Sequence, residues 1–142
     1  MNLRPSLLDD LGILPTIEWH CREFQKMCPH IRFEKRIELT EDQVPQSLKI
    51  VIYRVFQEAL NNIAKHSKAD LIHFSLRKID KIELLIRDNG LGFNPDEKLS
   101  LNVSRRGIGL SSMKERAELS GGSFEIESTI GKGTIVRAAW PF

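Results

Sequence analysis

The chain has little net charge: 21 Lys and Arg stand against 19 Asp and Glu, a balance of +2 over 142 residues. That gives no reason to expect nucleic acid or an anionic membrane surface as a partner. No apolar run approaches the length that spans a bilayer, and no signal-peptide h-region opens the chain. Cys21 and Cys28 have no companion Cys or His at zinc spacing, so free thiols in a reducing compartment are expected. Two common phosphate-binding patterns are missing too. Gly131-Lys132-Gly133-Thr134 has neither the order nor the upstream glycine of G-x-x-x-x-G-K-S/T. A dinucleotide fingerprint built on Gly107-x-Gly109 would need glycine at position 112, where Ser112 stands. Repeats and low-complexity tracts are also lacking. What remains is one domain of the soluble, cytosolic kind, long enough to bury roughly two-thirds of its unfolded surface.

Periodicity then divides the chain. Residues 5–14 read as a connecting segment, broken at Gly12 and Pro15, and a helix is expected from about Pro15 to the stop at Pro29. Ile31 to Leu39 alternates like a strand. Thr40 with Gln43 three residues on makes a capping box for a long helix running to about His66. Strands follow over about 70–77 and 81–87, then a polar loop from Leu91 to about Arg106. Gly109 to Leu119 reads as a short helix ended by Gly121-Gly122. Ser123–Thr129 and Gly133–Trp140 make a closing hairpin. Three helices against one mixed sheet give an α/β sandwich with its helices on one face.

Asp88-Asn89-Gly90-Leu91-Gly92 is the most informative stretch. A period of two puts Asp88 on the inward face with Ile82, Leu84 and Ile86. A buried carboxylate needs a donor. Glycines directly behind it let the backbone approach something flat, and an exocyclic amine such as that of adenine suits the acceptor. Asn89-Gly90 is also a type I′ hairpin signal, but no alternating strand follows it.

The long helix carries a second constellation. Taking Leu48 as zero, Val51, Ile52, Val55, Ala59 and Ile63 fall within about 60° of it. Asn62 lies inside that apolar arc at roughly 320°, Glu58 borders it at about 280°, and His66 returns to about 0°. Glu58, Asn62 and His66 thus form an i, i+4, i+8 ridge facing inward, flanked by Lys65. Oxygen ligands and a lysine in a cavity suit Mg²⁺ and phosphate. The same residues also read as a buried hydrogen-bond network, with Lys65 and His66 favouring the helix dipole. Gly107-Ile108-Gly109 stands between the polar loop and the following helix N-terminus. There it serves either free N–H groups that hold phosphate or a simple hinge. The Gly131-Lys132-Gly133-Thr134 turn reads either as a plain hairpin loop or as one whose Thr134 offers a hydroxyl to a ligand beside Asp88.

In order, Glu58-x-x-x-Asn62-x-x-Lys65-His66, Asp88-x-Gly90-x-Gly92, Gly107-x-Gly109 and Gly131-x-Gly133-Thr134 resemble the N, G1, G2 and G3 boxes of the GHKL ATPases. Gln57 through His66, and Gly109-Leu110-Ser111-Ser112-Met113-Lys114-Glu115-Arg116, look like the sensor histidine kinases of that superfamily. They look most like the subgroup that signals to response regulators with LuxR-type DNA-binding domains. Leu3 through Gly12 is similar to that subgroup's link between dimerisation helices and catalytic domain.

The resemblance implies a Bergerat fold with a mostly antiparallel sheet, a linker over 1–14 and an ATP-binding catalytic domain over 15–142. It implies that Asp88 accepts from the adenine amine, with Gly90 and Gly92 beside the base. Asn62 would ligate Mg²⁺, and Glu58 would act through a metal-bound water or as general base. Lys65, His66, Arg105 and Arg106 would face the phosphates, held with Gly107, Gly109 and Leu110, under a lid over Leu91 to Arg106. Thr134 would offer its hydroxyl to the nucleotide.

One absence redirects this reading. Kinases of this kind phosphorylate a His followed by Asp or Glu, yet the four histidines here precede Cys21, Ile31, Ser67 and Phe74. The acceptor is therefore expected on a separate dimerisation domain, with this chain monomeric, unable to label itself, and hydrolysing nucleotide slowly at most. The rivals are a GHKL serine kinase of anti-sigma type and a non-catalytic nucleotide-sensing module.

Overall fold

The computed structural model describes residues 6–94 and 105–141. Its elements run α1 (Ser6–Leu11), α2 (Ile13–Met27), β1 (Arg32–Glu38), a 3₁₀ turn (Glu41–Gln43), α3 (Gln46–Asn62), a π turn (Ile63–Ser67), β2 (Leu71–Lys78), β3 (Ile82–Asp88), α4 (Arg105–Leu119), β4 (Ser123–Thr129) and β5 (Gly133–Trp140). The strands form one five-stranded sheet in the order β1-β2-β3-β5-β4. Only β1 and β2 run parallel; the other pairings are antiparallel. Positions 95–104 of the expected lid, and the linker's first five residues, lie outside the described residues.

Alternation decides which sheet face is covered. Ile72, Phe74 and Leu76 of β2, Ile82, Leu84 and Ile86 of β3, and Val136, Ala138 and Trp140 of β5 are buried. They meet Ile13, Ile17 and Phe24 of α2, Ile52, Val55 and Phe56 of α3, and Met113 and Ala117 of α4 in one apolar core. The other face carries charged pairs among its residues, Arg77 with Glu83 at 3.4 Å and Arg137 with Glu127 at 3.6 Å. This is the expected two-layer sandwich. Both cysteines are free, and burial pushes the Cys21 thiol up to about 12.

Three helix boundaries differ from the sequence reading. Residues expected as a connecting segment form α1, and α2 begins at Ile13 rather than Pro15. Gly12 turns the chain between them at φ +98°. The Glu41 carboxylate, distant in sequence, caps α2 by accepting from the N–H groups of Ile13 at 2.9 Å and Leu14 at 3.0 Å. Pro15 is then harmless, because first-turn positions have no intrahelical acceptor to lose.

The Thr40–Gln43 capping box exists, with the Thr40 N–H donating to Gln43 Oε1 at 2.9 Å, but it serves only the 3₁₀ turn. Pro45 is the reason: a residue before proline is pushed out of the helical region, and Val44 is extended at φ −99°, ψ 116°. The long helix therefore starts afresh at Gln46. Finally, α4 begins at Arg105, four residues before the expected Gly109. It ends as expected at the glycine pair: Gly121 takes φ +90°, and the Gly122 N–H reaches back to the Ala117 carbonyl at 2.9 Å.

Candidate functional site

Asp88 is the last residue of β3, 5% exposed, and directly opposite Thr134 of β5. Its Oδ1 accepts the Gly90 N–H at 2.8 Å, which turns the chain without making a hairpin. Asn89 ties the same turn to β2. Its Oδ1 accepts from the N–H groups of Asp70 and Leu71, both at 3.1 Å, and its amide donates to Asp70 Oδ1 at 2.6 Å.

The segment after Asp88 is stitched to the β4–β5 hairpin. Gly131 N–H donates to Leu91 O at 2.6 Å, and Phe93 N–H to Ser128 Oγ at 2.8 Å. Gly92 sits at φ +66°, with the Thr129 carbonyl oxygen where a Cβ would be. Any side chain there would both strain the backbone and collide with the hairpin.

A narrow, partly open pocket lies between this corner and the helices. Ala59 and Asn62 of α3 with Ile63 of the π turn form one side, Ile86 and Val136 the sheet side, and Phe93 and Leu110 its flanks. Its polar atoms come from Asn62, Asp88 and Thr134. An apolar slot with few directed polar groups suits a flat heteroaromatic ring that carries an amine.

Beyond the slot, Glu58 and Asn62 converge on Gly109 of α4. A Cβ there would lie 3.0 Å from Glu58 Oε2 and 3.4 Å from each terminal atom of the Asn62 amide. Because α4 starts at Arg105, the N–H groups its first turn leaves free are those of residues 105–108, Gly107 among them. Gly109 falls in the second turn, where its missing side chain leaves room for the two polar residues of α3. The Asn62 Nδ2 is buried with no hydrogen-bond partner among the described residues. Such an atom costs free energy until something satisfies it.

The structure therefore brings Glu58, Asn62, Asp88, Gly109, Leu110 and Thr134 to one cleft. Gly90 and Gly92 shape its corner rather than line it. Lys65 is exposed and His66 half-buried, both in the π turn that follows α3. That turn breaks the 100° step on which the i, i+8 placement of His66 relied. Arg105, Arg106 and Gly107 stand in the first turn of α4. Phe93 and Ser128 were not read as site residues. Phe93 had a faint signal, a lone aromatic in a polar stretch directly after Gly92. Ser128 had none, because its place comes from pairing with Thr134 across strands.

Residues 48–142 match the family described as histidine kinase-, DNA gyrase B-, and HSP90-like ATPase. The chain belongs to this family. It is thus an ATP-binding domain of the GHKL type. It is 34% identical over 143 residues to the oxygen sensor histidine kinase NreB of Staphylococcus carnosus, covering 99% of this chain and 40% of that protein. It is 35% identical over 142 residues to the signal transduction histidine-protein kinase/phosphatase DegS of Bacillus subtilis, covering 97% of this chain and 36% of that protein. The chain spans about two-fifths of the length of these curated relatives.

Among solved structures, the blue-light activated histidine kinase of Erythrobacter litoralis EL346 superposes with a TM-score of 0.71 at 15% identity, over 91% of this chain and 41% of that one. The ATP binding domain of PrrB from Mycobacterium tuberculosis gives 0.62 at 21% identity, over 84% and 86%. At those identities the likeness establishes the fold. Among the described residues, no helix is long and apolar enough to cross a membrane.

Proposed function

We propose that this domain is the catalytic half of a sensor histidine kinase: it transfers the γ-phosphoryl group of ATP to a histidine on a separate dimerisation domain. The observation that carries the proposal is the pairing of a buried carboxylate, Asp88, with an apolar slot that Asn62 helps to line and beside which Glu58 faces Gly109. Asp88 accepts the adenine amine. The phosphates then extend toward Gly109, over the free N–H groups at the start of α4, with Lys65, His66, Arg105 and Arg106 available to them. Such chemistry runs on positioning and charge neutralisation. Glu58 takes the proton from the attacking imidazole, directly or through water, as the N–P bond forms and ADP leaves.

The cleft fits a hard cation. Asn62 offers its amide oxygen and Glu58 a carboxylate oxygen on the same side of Gly109, while the unsatisfied Asn62 Nδ2 is a donor that suits a phosphate oxygen. Asn62 would hold Mg²⁺, with Glu58 one water away, and a bound Mg²⁺ would supply neutralisation of phosphate charge. Residues 1–14, with α1 and the turn at Gly12, serve as the link to the dimerisation domain. Its partner beyond that domain is a response regulator of the LuxR type, which the names NreB and DegS favour, and its compartment is the cytoplasm.

Calorimetry with ATP, with and without Mg²⁺, tests this on the native chain and on Asp88→Asn. Magnesium-dependent binding is expected, weakened roughly a hundredfold in the variant, the scale of a charge-assisted hydrogen bond. Equal affinity in both proteins, or no binding by a folded native chain, would overturn it.

A further inference from the structure

The turn that carries Lys65 and His66 is held in an unfavourable shape. Ile63–Ser67 form a π turn, and Lys68 follows in the left-handed region at φ +54°. Such geometry persists only where the chain on both sides imposes it. On one side α3 does so from within the core, with Ala59 and Leu60 buried. On the other the chain enters β2 at Asp70 and Leu71, and there one side chain grips both residues. Asn89 Oδ1 accepts the N–H groups of Asp70 and Leu71, each at 3.1 Å, and its amide donates to Asp70 Oδ1 at 2.6 Å. The Asn89 N–H adds a bond to the Leu71 carbonyl at 3.3 Å. Asn89 is exposed and does not line the slot. We infer that Asn89 is a positioning residue for the phosphate end of the cleft: through Asp70 it fixes the π turn, and thereby where Lys65 and His66 stand relative to the phosphates. The inference rests on the phosphate-facing role proposed above for those two residues and goes beyond it by naming the group that sets their place.

A clamp between two segments positions the looser of them. Asp88, next to Asn89 in the chain, is held without the clamp. It pairs with Ile72 of β2 and Thr134 of β5, and its Oδ1 accepts the Gly90 N–H at 2.8 Å. Asp70 stands before the first residue of β2. Its carbonyl accepts the Arg32 N–H at 2.8 Å, but its own N–H and its carboxylate both turn to Asn89. Only a carboxamide supplies an acceptor for two N–H groups and a donor for a carboxylate from one planar group. Without it, two backbone donors and the Asp70 carboxylate lose these bonds together and must turn to water. The β3 side keeps its ladder, so the side that relaxes is 63–70. The consequence therefore falls on the groups that face the triphosphate, while Asp88 stays in register.

The experiment measures affinities for ATP with Mg²⁺ and for adenosine, which has no phosphates, with thermal melts as folding controls. Asn89 and Asp70 are both exposed, so their variants should stay folded. Asn89→Ala is expected to weaken ATP about tenfold, the scale of a hydrogen bond or two, and to leave adenosine unchanged. Asn89→Asp keeps the acceptor but sets two carboxylates together, so the ATP-to-adenosine ratio should fall as far. Adding Asp70→Asn to it returns the same donor and acceptor in exchanged places and should restore the native ratio. In a Lys65→Ala/His66→Ala background, Asn89→Ala should leave the ratio unmoved, since the groups it positions are gone. Equal weakening of both ligands by Asn89→Ala would mean that Asn89 serves the Asp88 turn. An unchanged ratio, or an exchanged pair that restores nothing, would remove the clamp altogether. In each of these cases the inference fails while the nucleotide reading stands. A folded native chain that binds ATP no more tightly than adenosine would sink the phosphate reading itself.

Discussion

The two ends of α3 treat their polar atoms in opposite ways. Toward the N-terminus, Lys49 reaches Glu41 Oε2 at 2.8 Å, Tyr53 shares a hydrogen bond with His20 Nδ1 at 2.8 Å, and Arg54 donates to Gln57 at 2.9 Å. At the C-terminus, Asn62 keeps a buried amide nitrogen without a partner among the described residues, and Glu58 and Asn62 face a glycine on α4. One end is internally complete and anchors α2. The other is left incomplete where the helix gives way to a π turn and to Lys68 at φ +54°. Incomplete hydrogen bonding survives in a fold when a ligand completes it, and local departures from regular geometry concentrate at such places.

The largest effect should come from the completed end. Phe56 is fully buried, with ring centroids 4.9 Å from Phe74 and 5.5 Å from His20. Phe56→Ala is expected to cost about 3–5 kcal/mol in denaturant unfolding, the range for truncating a core aromatic. Nucleotide affinity should be kept wherever the variant is still folded. A variant that stays stable yet binds ATP far more weakly would show that the two ends are not separable.

Asn62→Leu tests the incomplete end with a smaller stability change and the opposite sign. An apolar side chain of similar size removes the unsatisfied amide, so stability should hold or rise by up to about 1 kcal/mol. The magnesium-dependent part of ATP affinity should disappear. A loss of more than about 2 kcal/mol, a cost typical of breaking a satisfied buried group, would mean that the amide serves the fold rather than a ligand.

Much of this was legible in the chain itself, and the exceptions share a cause. The β4–β5 hairpin falls at the expected residues because alternation and the Gly131 turn are both local signals. Asp88 and Asn62 could be placed because a polar residue inside an apolar periodicity stands out. What was misread depends on partners remote in sequence. Gly12 and Pro15 looked like breakers because the carboxylate that caps α2 belongs to Glu41, and Thr40 looked like the start of α3 because its box is real but too short-lived to pass Pro45. Two glycines hid the first turn of α4. Ser128 gave no signal at all, since cross-strand register decides its neighbours and register is not written in any one segment.

The smallest effect is in pH, and it belongs to the completed end alone. Burial holds the His20 imidazole below its ordinary 6.5. Above that pH it is neutral in folded and unfolded chains alike and contributes nothing. As pH falls below about 6.5 the unfolded chain takes up a proton that the folded chain resists, so stability declines until the folded value is passed. Glu41 acts lower on the scale. Burial pushes its carboxyl up, but the Lys49 ammonium and the N–H groups of Leu14 and Ile13 outweigh that and hold it below 4.5. Its contribution is present above that value and is lost as pH drops through the folded one. Solvent screening limits it to on the order of a few tenths of a kcal/mol. Melting temperature against pH should therefore fall in two steps, with His20→Asn flattening the upper step and Glu41→Gln the lower. A curve in which Glu41→Gln leaves the lower step intact would remove the carboxylate from the α2 cap. A shift of ATP affinity in step with either variant would tie the anchored end of α3 to the cleft after all.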